Sequence, residues 1–206
     1  MENYLDLAIG ADATRHQQRR GSRDGYQQMA DEPAPRGLGP DEVEFLQERD
    51  SFYMASVNEE GWPYVQHRGG PPGFIKIVDP THLAWVERSG NRQFLSAGNL
   101  DHDDRVSLIA LDYPNRQRLK LYGRARFNPS PSAHELAALG FEGRNEGVVT
   151  VEVVAFAWNC PKYITPRYTA EEIEAAVAPL KARIAELKSR LNGEAQPPGR
   201  SPRIAF

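Results

Sequence analysis

RLKLYGRARF, residues 118–127, is the cleanest alternation in the chain. On an extended backbone Leu119, Leu121, Ala125 and Phe127 point one way, and Arg118, Lys120, Tyr122, Arg124 and Arg126 the other. One face suits a core, the other suits water or a ligand. Similar short runs surround it. Phe52–Asn58 and Trp62–Arg68 read as a hairpin about the turn Glu59-Glu60-Gly61, and Phe74–Val78 and Leu83–Glu87 as strands joined across Asp79-Pro80. Arg105–Leu111 and Val148–Ala157 complete the set. Only short helical patterns intervene, at Asp41–Arg49, Asn91–Leu100 and Ser132–Leu139. About seven strands at such close spacing predict a mainly β fold, an antiparallel barrel rather than a parallel sheet.

The chain has 206 residues, with 25 Lys and Arg against 28 Asp and Glu, a formal charge of −3. That balance excludes a globally basic nucleic-acid binder. Val148–Trp158 is the longest strongly apolar stretch; Thr150 and Glu152 interrupt it, and it is too short to span a bilayer. A single cysteine, Cys160, excludes an internal disulfide framework and a multi-cysteine zinc knuckle. Met1–Gly10 carries acidic residues where a signal peptide carries basic ones. A soluble, cytoplasmic protein without nucleic-acid or membrane partners is expected.

The organisation expected is an N-terminal polar arm over 1–40, a barrel domain over 41–168, an amphipathic helix over 169–192 and a tail over 193–206. Residues 11–40 hold few large apolar groups and cannot bury enough surface to order themselves alone. They are disordered or laid over another surface. Near the other end, Thr169-Ala170-Glu171-Glu172 is a capping box. Ile173, Val177, Leu180, Ile184, Leu187 and Leu191 then recur at heptad spacing, a seam for the barrel or for a second subunit. Pro179 should kink this helix.

Three clusters could meet a ligand. Arg118, Lys120, Arg124 and Arg126 share a strand face, where like charges call for an anion or acidic neighbours. In Arg88-Ser89-Gly90-Asn91-Arg92-Gln93, cations stand at a helix start, where free amides favour a phosphate. In Gln66-His67-Arg68-Gly69-Gly70, glycines permit close approach of a flat ligand. Trp85, Phe74 or Trp158 could cover such a ring, whereas Phe94 and Phe127 are expected in the core. The histidines and Asp101, Asp103 and Asp104 lack metal-ligand spacing.

Taken in order, DSFYMASVNEEGWPYVQHRGGPPGFIKIVD, SGNRQFLSAGNLDHDDRVSLIALDYPNRQRLKLYGRARF and CPKYI resemble the FMN-binding split-barrel family related to pyridoxamine 5′-phosphate oxidase. The resemblance implies a six- or seven-stranded antiparallel split β-barrel with a C-terminal helix, and a homodimer with FMN at the subunit interface. It matches Arg68 and Lys76 to an Arg and a Lys that reach the FMN phosphate, and Asn91, Arg92 and Gln93 to the family's Ser-Arg-Lys triplet. Gln117 and Arg118 match, in reversed order, an Arg-Gln pair facing the flavin of the other subunit. With Gln66 and His67, these make up the expected cofactor site. The implied activity is flavin-mediated hydride or electron transfer on a small substrate, with NADH or NADPH as a candidate donor. The rivals are a non-catalytic FMN storage or redox-sensing protein, and a barrel that holds haem or F420. His67 and Tyr122 are the candidate proton donors; no other acid or base stands out.

Overall fold

A computed structural model describes residues 1–194. Its strands are β1 (Ser51–Val57), β2 (Pro63–Gly69), β3 (Lys76–Asp79), β4 (His82–Arg88), β5 (Arg105–Asp112), β6 (Gln117–Asn128) and β7 (Asn145–Trp158). All pair antiparallel in one sheet of order β2-β1-β5-β6-β7-β4-β3. The expected barrel is therefore seven-stranded and split. It does not close by backbone pairing, and β2 and β3 are its edges.

The alternation along residues 118–127 sets the architecture. Leu119, Leu121 and Ala125 of β6 are buried, and their neighbours Lys120, Arg124 and Arg126 are not. Inward side chains from β1, β4, β5 and β7 complete the core, among them Phe52, Met54, Leu83, Trp85, Leu108 and Val151. Midway along β6 the register with β7 shifts at Tyr122 and Gly123. A Cβ on Gly123 would stand 2.8 Å from the Glu152 carbonyl oxygen, so glycine lets the two strands cross closely there.

Short helices fill the connections: α4 (Pro40–Gln47) before β1, α5 (Leu95–His102) between β4 and β5, and α6 (Ala133–Ala138) between β6 and β7. Glu42 holds α4 twice over. One carboxylate oxygen accepts the Gly39 amide at 2.9 Å, and the other accepts Trp158 Nε1 at 2.6 Å. Buried Asn99 of α5 donates to Ser56 Oγ at 2.9 Å, fixing that helix to β1.

The polar arm is folded. It forms α1 (Tyr4–Ala8), α2 (Ala11–Arg20) and α3 (Arg23–Ala30), although α2 and α3 bury no residue. Anchors outside these two helices hold it down. Tyr4 is buried and stacks on Tyr122 at 4.8 Å, the Glu2 amide donates to the Val154 carbonyl, and Asn3 donates to the Ala30 carbonyl. The segment is helical in this structure, and its ties run from α3 to Asn3 beside α1 rather than through buried residues of α2 or α3. Lys120 lies 5.0 Å from the Tyr4 ring. Its burial, and then the charge of Arg118, lower the ammonium pKa.

Met1–Ile164 is one compact unit, and a second begins at Thr165. The second contains α7 (Ala170–Glu194), which runs on through Pro179. The capping box is formed: Thr169 Oγ1 accepts the Glu172 amide and Glu172 accepts the Thr169 amide. The heptad seam is open to solvent at Ile173, Leu180, Ile184, Leu187 and Leu191. The helix extends two residues beyond the expected 192, and the remaining expected tail, 195–206, lies outside the described residues. No described helix is long and apolar enough to cross a membrane.

Candidate functional site

The two ends of the open sheet approach each other across the split, and a cleft of about 230 Å³ lies there. Strand β2 supplies Tyr64, Gln66 and Arg68, which share one face because they alternate. Val65 and His67 necessarily point the other way. The end of β4 adds Glu87 and Arg88, the following loop adds Asn91, Arg92 and Gln93, and the first turn of α5 adds Leu95, Ser96 and Ala97. The amide-bearing, positive end of α5 thus borders the cleft.

Among the cations of the cleft, Arg68 is the most buried. It is 9% exposed, and its Nε donates to Glu87 Oε1 at 2.6 Å. The same oxygen accepts the buried indole of Trp85 at 2.8 Å. Gln66 is held as well, because its Oε1 accepts Ser96 Oγ and the Tyr64 hydroxyl, each at 3.2 Å. Arg92 sits differently. It is exposed, with Nε 3.5 Å from Glu146, and Glu146 also accepts Ser89 Oγ at 2.7 Å.

The helix expected from Asn91 begins only at Leu95. Asn91 Oδ1 accepts the Gln93 amide, a local turn that competes with helix, and Arg92 and Phe94 adopt left-handed φ of 57° and 52°. Asn91, Arg92 and Gln93 therefore form a loop wall rather than a helical turn. Chemically the cleft offers three guanidinium groups, an amide-bearing helix end, neutral amides, two carboxylates and the rings of Tyr64, Phe94 and Phe127. Such a set is chemically suited to an anionic group next to a polar, partly flat body.

A family model described as pyridoxamine 5′-phosphate oxidase matches residues 38–156. The chain belongs to this family. No curated protein matches it. Solved structures similar to it include HupZ from Group A Streptococcus, with 14% identity over 64% of this chain and 100% of that one, at a TM-score of 0.48. A Lactobacillus delbrueckii protein assigned as a pyridoxamine 5′-phosphate oxidase has 20% identity over 59% and 93%, at 0.47. HutZ, a haem storage protein of Vibrio cholerae, has 18% identity over 59% and 94%, at 0.43.

For a member of the pyridoxamine 5′-phosphate oxidase family, the expected cofactor residues are only partly assembled within one chain. Gln66, Arg68, Asn91, Arg92 and Gln93 line the cleft. His67 does not; strand alternation turns it outward, edge-on to Tyr53 at 5.4 Å, and it borders a neighbouring cleft of about 150 Å³. Lys76 is also displaced. The Gly70–Ile75 connection carries it to a third cleft of about 130 Å³, with Phe74, Arg88 and Phe141. Gln117 and Arg118 begin β6 away from all three clefts, and Arg118 Nη2 donates to the Cys160 carbonyl at 3.4 Å. Its buried Nε has no partner among the described residues.

The aromatic expectation holds in part. Phe74 and Trp85 line the neighbouring cleft of about 150 Å³ with His67, Arg68 and Gly69, although neither lines the cleft of about 230 Å³. Trp158 packs edge-on to Phe45 and lines neither. Phe127 packs against the core as expected and also lines the larger of these two clefts, whereas Phe94, expected in the core, is exposed beside it. The basic face of β6 is partly neutralised, with Arg124 paired to Asp104 at 2.7 Å. Sequence reasoning missed Tyr64, Glu87, Ser96 and Glu146. Tyr64 was readable from the alternation that placed Gln66 and Arg68 together, whereas nothing in the local sequence ties Glu146 to Ser89.

Proposed function

We propose that this chain binds FMN and performs flavin-mediated hydride or electron transfer on a small substrate, in the cytoplasm, as a homodimer with the flavin at the subunit interface. The observation that carries the reading is the cleft in the split, where Arg68, Arg88 and Arg92 meet the positive end of α5. Charge-assisted bonds from guanidinium to phosphate contribute roughly 1.5–3 kcal/mol each, enough to hold the cofactor by its phosphate. Gln66, Asn91, Gln93 and Ser96 suit the hydroxyls of a ribityl chain, and Tyr64, Phe94 and Phe127 offer apolar surface beside it.

Bound FMN supplies the redox chemistry, and the protein supplies placement, electrostatics and access. In the proposed dimer a second copy would add a wall to this cleft, whose volume of about 230 Å³ is below the roughly 300–1,000 Å³ of a typical small-molecule site. Gln117 and Arg118, remote from the cleft of their own chain, are then available to the partner's flavin. Tyr53 and Val65 on the outer face of β1 and β2 are exposed apolar groups suited to such an interface.

The visible spectrum of the freshly purified protein tests this reading, with sedimentation of the same sample. Flavin absorbance that bleaches with NADH or NADPH and returns in air is expected, from a dimer. A preparation that stays colourless when FMN is added would sink it. A flavin unmoved by every donor would point to storage or redox sensing, and a haem or deazaflavin spectrum to those cofactors.

A further inference from the structure

We propose that Glu87 is a positioning residue: it reaches across the split and sets the guanidinium of Arg68 for an anionic ligand. The inference deepens the flavin reading and rests on it for the identity of the ligand.

Three observations carry it. Arg68 is on β2, an edge of the sheet, while Glu87 is on β4, next to the opposite edge, and no backbone ladder joins the two strands. Their 2.6 Å bond is therefore a side-chain clasp over a gap that the backbone leaves open. Second, Glu87 is itself held: its Oε1 accepts Trp85 Nε1 at 2.8 Å, and Trp85 is 1% exposed, edge-on to buried Phe52 at 5.0 Å. The clasp is thus referenced to the core. Third, only the Nε of Arg68 is committed to Glu87. Nη1 is 3.5 Å from the His67 carbonyl, and Nη2 has no hydrogen bond among the described residues. A guanidinium fixed at Nε, with Nη2 uncommitted and Nη1 held only by a long bond to a carbonyl, is prepared for a phosphate or carboxylate.

The sign of the effect separates positioning from simple charge. A carboxylate in an anion cleft repels the ligand, so by Coulomb's law alone its removal tightens binding. Glu146, which engages Ser89 and an exposed Arg92, competes with a ligand in just that way. Glu87 acts oppositely. Its loss frees Arg68 to rotate, and the ordering cost then falls on binding.

The test measures FMN affinity by quenching of flavin fluorescence for the wild type, Glu87→Gln, Glu87→Ala and Glu146→Gln, with inorganic phosphate titrated in parallel by calorimetry. Glu87→Ala is expected to weaken binding about tenfold or more. Glu87→Gln lies between, because an amide oxygen can still accept from Arg68 and Trp85. Glu146→Gln binds at least as tightly as the wild type. Affinities that rise in both Glu87 variants would overturn the assignment. An Arg68→Ala background guards against a folding artefact: there, adding Glu87→Ala should bring no further loss, and an unchanged tenfold loss would mean that Glu87 does not act through Arg68. If the wild type binds no FMN, the flavin reading falls, and the order of phosphate affinities alone decides the role of Glu87.

Discussion

Arg68 and Arg92 reach the same cleft from different elements, each with a glutamate beside it, yet their surroundings differ. Arg68 is 9% exposed and bonded at 2.6 Å to a carboxylate that the core holds in place. Arg92 has a side chain 67% exposed, stands 3.5 Å from Glu146, and sits on a loop with left-handed backbone. Burial strengthens a charge pair and makes its loss costly, whereas solvent and salt screen an exposed pair to about 0–1 kcal/mol. One arginine is therefore part of the frame and the other part of the door. Similar composition on the two sides of the cleft conceals this division.

The largest expected effect comes from Arg68→Ala. It strips a charge-assisted contact from the ligand and leaves Glu87 with only the Trp85 indole. FMN affinity should fall by about ten- to a hundredfold, and chemical denaturation should show a loss of roughly 1–3 kcal/mol. Unchanged stability would mean that the pair across the split is not part of the frame.

Arg92→Ala should be milder and of a different kind. Affinity falls about fivefold, as for a screened contact, and stability stays within about 0.5 kcal/mol. Arg126→Ala, on the outer face of β6, should alter neither. Binding by the Arg92 variant should also depend less on salt, since a screened cation has been removed. Equal losses from Arg92→Ala and Arg126→Ala in a flavin titration would place the phosphate elsewhere.

These contrasts explain what the sequence made readable. Strand periodicity put Gln66 and Arg68 on one strand and Glu87 on another, and the resemblance led to the family. Period-two logic applied within Gln66-His67-Arg68 also separates His67 from its neighbours, a step that a contiguous cluster obscures. The Arg68–Glu87 clasp was hidden because it depends on how far an unclosed sheet curls, which no local pattern records. Glu146 was hidden for the same reason: it lies 57 residues from Ser89 in the chain and meets it only through the pairing of β4 with β7. The position of Lys76 turns on the path of a connection rich in glycine and proline, where composition marks a break without giving its direction. The choice between disorder and a laid-down arm was not legible, because Tyr4, the buried anchor, precedes the polar stretch whose composition left both open.

The smallest expected effect isolates the backbone of the door from its charge. At φ 57°, Arg92 occupies a region where a Cβ crowds the chain, at a cost of about 1 kcal/mol. Glycine adopts that conformation without the crowding, although it gives up more freedom on folding. Arg92→Gly and Arg92→Ala both delete the guanidinium, so their FMN affinities should agree. Their stabilities should not: the glycine variant should be the more stable by up to about 1 kcal/mol in urea denaturation, because alanine keeps the strain. If alanine proves as stable as glycine, the loop relaxes at no cost and the left-handed turn does not hold Arg92 at the cleft. If the affinities differ while the charge is absent from both, the path of the loop itself shapes the site, and the division between frame and door must be drawn one residue further, at Phe94, the second left-handed position before α5.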